Sequence, residues 1–507
     1  MLFLIPPLEK EDLKIIGHSL SNICYLSGAL LLLPIIVAVV YEEFDVIPSF
    51  LIGSAASIFF GSLLSFFLYT KREMEVKHAV VMAAVAWLVA PFFASVSFWL
   101  ANALSSYLDA LFESVSGFTG TGLTVAVNID HLPRSVNFLR HFLQFVGDGI
   151  GIIVISLSIL GKTEISSVLA FKGEAKDTGI RPSIVRTSRI IVGIGLTFLI
   201  IGTSLFTIAG LKEGLDFGTA FFEGLNLSMT GYATGGFTPH SQNLLYYHSF
   251  WFEVVAIILM VVGALNFNLH YAVLGGKRGE ILKNMEVKIL LLWLLVVGSL
   301  VSANLLFVGL YPSSEALFRK GVFQAISAQT TTGFQTVYPY HLMFMWPVLS
   351  VLLLVAAMVS GGCANSTSGG IKMLRVGMLL KSLVREIRQA LMPKSAVVTG
   401  SFHHVEDTPL TDKMVRGAAT IALSYLILFS IGTLITVGHG YGLEDSMFET
   451  ASALGNVGLS SGITSPLMPA TLKAVYIFLM WAGRLEIMAI FVLAGFIILG
   501  LRKGIKE

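Results

Sequence analysis

The stretch Gln329-Thr330-Thr331-Thr332-Gly333-Phe334 places three hydroxyls and a glycine between two apolar runs, each long enough to cross a bilayer. Three other stretches share its pattern: Ser116-Gly117-Phe118-Thr119-Gly120-Thr121-Gly122, Tyr232-Ala233-Thr234-Gly235-Gly236-Phe237 and Leu454-Gly455-Asn456-Val457-Gly458-Leu459. The chemistry open to such residues is that of the backbone carbonyl. Non-helical backbone at membrane depth must be held by protein or face water. Glycine admits the dihedrals that turn successive carbonyls the same way, and carbonyls so turned can replace the hydration shell of a cation. Each stretch follows a short amphipathic segment carrying an acid, Glu113, Glu223, Glu315 and Glu449 in turn, and precedes another apolar run. The four glycines recur at intervals of about 115, 95 and 125 residues, which reads as four tandem units. Four such loops about one axis would make a pseudo-fourfold pore.

Three further constellations carry chemistry. Ser360-Gly361-Gly362-Cys363-Ala364-Asn365-Ser366-Thr367-Ser368-Gly369-Gly370 falls in the middle of an apolar span. Each glycine there costs a helix about 1 kcal/mol relative to alanine, so the expectation is an unwound loop that lines the pore below the third Thr/Gly loop and gates it. Arg484, in Trp481-Ala482-Gly483-Arg484-Leu485-Glu486, is an intramembrane charge and a functional candidate by default. It is expected to face the cavity below the fourth loop and to set the barrier to cations; Glu486, two residues on, lies on another helical face and is not expected to be its main partner. Asp148 lies in Val146-Gly147-Asp148-Gly149-Ile150-Gly151. Pairing with Arg484 or another basic group, lining of the cation path and protonation are all open to it. The spaced glycines around Asp148 and in the first loop resemble a dinucleotide fingerprint, but no strand of a βαβ unit precedes them, which excludes that reading. No convergent nucleophile-base pair or metal cluster is visible within the spans, so an enzyme is not expected.

The elements that must position these residues are membrane helices. Of 507 residues, 55% are hydrophobic and 13% charged, against about 25% charged in soluble proteins. Ten spans of about 20 apolar residues are expected near 20–41, 47–70, 78–102, 135–161, 187–211, 249–275, 286–311, 343–374, 412–438 and 470–501. The N-terminal stretch has no cleavable-signal pattern, and the first apolar run reads as a membrane anchor. Cys24 and Cys363 imply no disulfide framework. With the N-terminus inside, the inner segments hold roughly 26 of the Lys and Arg residues, in line with the positive-inside rule. Both termini are then cytoplasmic and all four loops open outward. The outer side carries Glu42, Glu43, Asp45, Asp109, Asp130, Glu213, Asp216, Glu444 and Asp445, acids that either concentrate cations at the mouth or keep the loops soluble. Lys162 to Arg189 reads as an inner connector. Lys381 to Lys394 has basic residues at helical intervals beside Leu383, Val384, Ile387 and Leu391, suited to a soluble partner or to anionic lipid. His403-His404-Val405-Glu406-Asp407 matches no metal-site spacing and reads as a solvated loop.

The resulting fold class is an all-α integral membrane protein: four tandem helix, pore-helix, filter-loop and helix repeats around a pseudo-fourfold pore, plus an N-terminal two-helix hairpin. The units run 1–75 (N-terminal stretch and hairpin), 76–165, 185–285, 286–395 with the intramembrane loop 360–370, and 410–507.

The chain resembles the Trk/Ktr/HKT superfamily of cation transporters, most closely its TrkH-type membrane subunits. The likeness rests on Asp109 through Thr119 with Gly122, Thr234-Gly235-Gly236-Phe237, Thr330 through Phe334, Gly361 through Ala364 with Ser366-Thr367 and Gly369-Gly370-Ile371-Lys372, and Gly483 through Glu486. The resemblance implies a potassium-selective filter at Gly122, Gly236, Gly333 and Gly458, with carbonyls from the preceding residues: Thr119, Gly120 and Thr121; Thr234 and Gly235; Thr331 and Thr332; Asn456 and Val457. It implies gating by Gly361, Gly362, Ser366, Thr367, Gly369 and Gly370, with Arg484 nearby. It further implies a homodimer in a prokaryotic inner membrane, controlled by a cytosolic ring of nucleotide-binding TrkA-type subunits. In this chain only potassium, as substrate, is then expected; no cofactor and no nucleic acid are. Gly120 stands where the family usually has threonine, and Asp148 where it usually has glycine, so a modified path or a proton- or sodium-coupled symport is the alternative.

Overall fold

The structure, a computed structural model, describes residues 9–72, 74–151, 184–393 and 399–503. Most of the inner connector from Lys162, the fourth span beyond Gly151, and Lys394 lie outside the described residues.

Helices α1 (Lys10–Leu30), α2 (Leu33–Val40) and α3 (Ile47–Phe67) make the N-terminal hairpin. Small residues let α1 and α3 meet closely: the hydroxyls of Ser54 and Ser57 donate to the carbonyls of Gly28 and Cys24 at 2.7 and 2.8 Å. The first helix starts ten residues before the expected span. Its charged first turn is helical because Asp12 is buried and held by His78 at 2.6 Å and Lys77 at 2.9 Å.

Four units follow. The first is α4 (Val76–Leu100), α5 (Tyr107–Phe118) and α6 (Arg134–Gln144), which continues as a wider π-type turn over Phe145–Ile150. The second is α7 (Ile184–Lys212), α8 (Phe217–Tyr232), α9 (Phe250–Gly263) and α10 (Phe267–Leu274). The third is α11 (Met285–Phe307), α12 (Phe323–Gln329), α13 (Val348–Ser360) and α14 (Met373–Leu391). A two-stranded antiparallel hairpin, β1 (Ser401–His404) and β2 (Glu406–Pro409), leads to the fourth: α15 (Asp412–Gly438), α16 (Leu443–Gly455), α17 (Ala470–Arg484) and α18 (Met488–Lys503).

In each unit a short helix, α5, α8, α12 or α16, is buried between longer ones and ends at a Thr/Gly loop. Side chains at Ser106 and Asp216 cap the first two of these helices, accepting from the amides of Asp109 at 3.2 Å and Thr219 at 2.9 Å. Helix C-termini carry partial negative charge, so the four loops begin in a field that favours cations.

Among the described residues six helices are long and apolar enough to cross a membrane, and two further pairs qualify as bent spans. The outward surface is apolar, with Phe66, Phe67 and Phe307 exposed, as a lipid-facing wall requires. The expected spans 249–275 and 470–501 are not continuous: α9 and α10 meet at 100°, and α17 and α18 at 111°. The first break is stabilised by Asn266, whose side-chain oxygen accepts from Asn268 N at 2.7 Å and whose amide donates to Ala364 O at 2.7 Å. The second turns on positive φ at Glu486 and Ile487, with Glu486 paired to Arg375. The expected solvated loop at His403–Asp407 is instead the β-hairpin, held by His403 between Glu280 and Asp407, 2.8 Å from each.

Candidate functional site: the four-loop ring

The four Thr/Gly loops have one backbone conformation. Gly122, Gly236, Gly333 and Gly458 have φ of +82°, +73°, +84° and +94°. Two residues earlier, Gly120, Thr234, Thr331 and Asn456 have φ of +69°, +49°, +54° and +53°, and the residues between have negative φ. This alternation of hand turns consecutive carbonyls toward one side.

The glycines lock the loops into a closed ring. A Cβ added at Gly122 would overlap the carbonyl oxygen of Gly235; at Gly236, that of Thr332; at Gly333, that of Val457; and at Gly458, that of Thr121. Each loop therefore touches the next in the order first, second, third, fourth, first, and a side chain at any of these positions would force two loops apart.

A set of hydroxyls, six residues before each glycine, braces the ring from behind. Ser116, Thr230 and Ser327 donate to the carbonyls of Leu123, Phe237 and Phe334 at 2.6, 2.9 and 2.8 Å, while Ser452 accepts from Gly458 N at 3.0 Å. Sequence reasoning gave these residues no role of their own, although their constant offset from the glycines was a readable signal. It also missed Gln144, whose amide nitrogen donates to Gly235 O at 2.6 Å, and Asn243, which joins Gly236 O and Gln335 N at 3.2 and 2.9 Å. Nothing in their local pattern marked either one.

The acids of the short helices serve the same bracing. Glu113 accepts from Arg140 Nε at 2.8 Å and from Thr124 and Val125. Glu449 holds Ser460, Ser461 and Thr464. Glu223 pairs with His240 at 3.0 Å. Glu315 does not take part: it is exposed beside Arg319, and Gln324, nine residues before its glycine as Glu113 and Glu449 are before theirs, bonds to Thr336 at 3.3 Å. Several outer acids are likewise structural. Asp109 is buried against Lys473 at 2.5 Å, Glu43 caps α6 through the amides of Arg134 and Ser135, and Asp130 holds Ser241 and His240.

The two sides of the ring differ. One side opens into a cavity of about 180 Å³ lined by Gly122, Thr124, Asn243, Gln335, Gly458 and Ser460, among others. The other side is crossed by the loop from Gly361 to Gly370. Thr331 Oγ1 accepts from Gly369 N at 2.7 Å and lies 3.0 Å from Ser368 Oγ; Thr234 Oγ1 donates to Thr367 Oγ1 at 3.0 Å; and Gln329 Nε2 donates to Gly361 O. Thr367 also donates to the carbonyls of Tyr232 and Gly263 at 3.1 and 2.9 Å. Gly361 and Gly370 have positive φ and pack so closely that a Cβ on either would collide with the backbone of the other arm. Ser366 Oγ donates to Cys363 O at 2.5 Å, and Gly362 N donates to Ser368 Oγ at 2.8 Å, closing the loop on itself. Lys372 at its end reaches back to Ser368 O.

Asp148 and Arg484 form a buried ion pair, one of the alternatives left open for Asp148. Arg484 Nη1 also donates to Thr367 O at 3.2 Å, and its guanidinium lies 5.1 Å from the Trp87 ring. Glu486 takes Arg375 as partner rather than Arg484, as their different helical faces suggested. The expected site residues are thus gathered about one axis: the ring, the loop across its closed side, and the ion pair beside that loop.

A membrane protein with four backbone loops closed around an axis, open to one side and crossed by a loop on the other, belongs to the class of pore-type ion transporters. Comparison with known proteins places it further. The TrkH family model, described as a cation transport protein, matches residues 46–498, and the chain belongs to that family. An uncharacterized cation transporter of Methanocaldococcus jannaschii is 33% identical over 487 residues, 96% of each chain. The Trk system potassium uptake protein TrkH of Halomonas elongata is 29% identical over 84% of this chain and 86% of its own. The crystal structure of the potassium transporter TrkH from Vibrio parahaemolyticus superposes with a TM-score of 0.80 at 27% identity, covering 95% of this chain and 98% of that one.

Proposed function

We propose that this chain takes up potassium across the cell membrane through the four-loop ring, with Gly361–Gly370 as the gate, as the membrane subunit of a Trk-type system. The observation that carries the reading is the closed contact of each loop glycine on the next loop's carbonyl, which fixes the ring's diameter in the backbone itself. A ring of carbonyls dehydrates a cation without a titrating group. Potassium is the ion named for the relatives from Halomonas elongata and Vibrio parahaemolyticus, and glycine at all four ring positions agrees with it. The filter ligands are the carbonyls of the residues leading to each glycine. Regulation comes from a partner on the face away from the mouth, where α14 presents Lys381, Arg388 and exposed Leu383, Ile387 and Leu391. A cytosolic TrkA-type ring, a homodimer and a prokaryotic inner membrane with both termini cytoplasmic complete the assembly.

The test is cation flux into liposomes holding the purified protein, potassium against sodium, with and without proton or sodium gradients. Potassium-selective flux without any such gradient is expected. Flux that requires one would replace conduction with coupled symport, and equal passage of sodium would remove the selectivity.

A further inference from the structure

The ring meets the structure beneath it at the position two residues before each glycine, and the first loop does so differently from the other three. Thr234 bonds to Thr367, Thr331 to Gly369 and Ser368, and Asn456 Nδ2 donates to Thr121 Oγ1 and Met480 O at 3.0 and 2.8 Å. The first loop has Gly120 there, with no side chain to give. Its space is filled by Asp148, carried on the π-type turn after α6: a Cβ at position 120 would lie 2.6 Å from Asp148 Cγ and 2.7 Å from Asp148 Cβ. Asp148 is 1% exposed and its carboxylate is paired with Arg484, which holds Thr367 O of the gating loop. One arginine thereby ties the fourth unit, the first unit and the gating loop together.

We propose that Gly120 and Asp148 act as a matched pair that sets cation turnover. Asp148 cancels the charge of Arg484 beside the path, so that Arg484 tethers the gating loop without opposing the exit of a cation. An unpaired arginine in this low-dielectric setting would repel each ion leaving the ring, and breaking a buried pair by removing one partner leaves the other uncompensated. Glycine at 120 is the condition for the arrangement, because any side chain there displaces the carboxylate. Asp148 is a positioning and charge-balancing residue in this account, and it requires no proton transfer.

The proposal rests on the reading of the ring as a cation path, and one assay separates the two. Full-length wild type, Asp148→Asn, Arg484→Gln and the double variant are reconstituted, and initial rubidium uptake is measured against concentration, with thermal stability followed on the same preparations. Asp148→Asn is expected to lower maximal uptake about fivefold or more, while half-saturation stays within about twofold because the ring itself is unchanged. The double variant is expected to return to wild-type uptake or above. A purely structural role predicts instead that half-saturation and maximal uptake both worsen with stability. If Asp148→Asn does not fold, Arg484→Gln decides: leaving Asp148 uncompensated raises uptake, and a fall overturns the proposal. Unchanged uptake in Asp148→Asn, or a folded double variant as slow as Asp148→Asn, also overturns it. Absence of wild-type uptake would overturn the cation-path reading instead.

Discussion

The hydroxyls of Thr331 and Ser368 lie 3.0 Å apart, so the third loop of the ring and the loop that closes it share a hydrogen bond. The ring and the loop that crosses it are in direct contact.

Replacing Ser368 with alanine removes that bond and the one from Gly362 N at 2.8 Å. At about 0.5–1.5 kcal/mol each, the closed arrangement should weaken enough to raise potassium flux by roughly 5-fold to 160-fold, up to the ceiling set by the ring. Flux measured in liposomes at fixed driving force checks this; an unchanged rate in folded protein would show that the Gly361–Gly370 loop does not gate flux through these bonds.

Glycine substitutions should divide by position rather than by type. Gly333→Ala places a Cβ against Val457 O at φ +84°, and the left-handed conformation alone costs about 1–2 kcal/mol. Loss of selective flux is expected. Gly298→Ala, in the interior of α11 with open space at its Cβ, should leave flux intact and stabilise by about 0.5–1 kcal/mol. Similar behaviour of the two in flux and thermal unfolding assays would contradict the ring geometry.

Lys473→Met leaves Asp109 buried without its charged partner. Such breaks cost about 3–5 kcal/mol, so a large fall in thermal stability is expected, with partial recovery in Asp109→Leu/Lys473→Met. A drop of under about 1 kcal/mol would mean that the pair is effectively solvated.

The hairpin at β1 and β2 should loosen as pH rises. The hydrogen bond to Glu280, joined by that to Asp407, lifts the pKa of His403 above its usual value, and the bond to His403 holds Glu280 below the usual carboxylate range. A raised histidine contributes fully below its unfolded value and is lost as pH climbs through the folded one; a lowered carboxylate contributes above its unfolded value and is lost as pH falls through the folded one. The pair therefore holds best at roughly pH 5–6.5. Hydrogen exchange at Phe402 to Thr408, corrected for intrinsic rate, should show less protection at pH 8.5 than at pH 6, and His403→Gln should abolish the difference. Equal protection at both pH values in wild type would contradict it.

Much of this was legible in the sequence because the ring is made of backbone, and backbone geometry writes itself in glycine. Gly122, Gly236, Gly333 and Gly458 could be read as equivalent before any coordinates, and the run from Gly361 to Gly370 could not have been a lipid-facing helix. The bends at Asn266 and Glu486 were not legible. They depend on long-range partners, Ala364 and Arg375, and the polar residues at each break do not by themselves mark a bend. The same holds for Asp12 and Asp109, whose charges looked like loop or mouth residues until His78, Lys77 and Lys473 were found beside them. Asp148 was recognised as unusual with Arg484 among its possible partners, and that pairing was selected only when α6 and α17 were brought together.

The most direct test of the central claim is the location of the ion itself. Diffraction from the protein in thallium or rubidium, with anomalous density mapped, is expected to show cations on the axis bounded by Gly122, Gly236, Gly333 and Gly458. Density beside Asp148 or elsewhere, with the ring empty, would contradict conduction through the four loops.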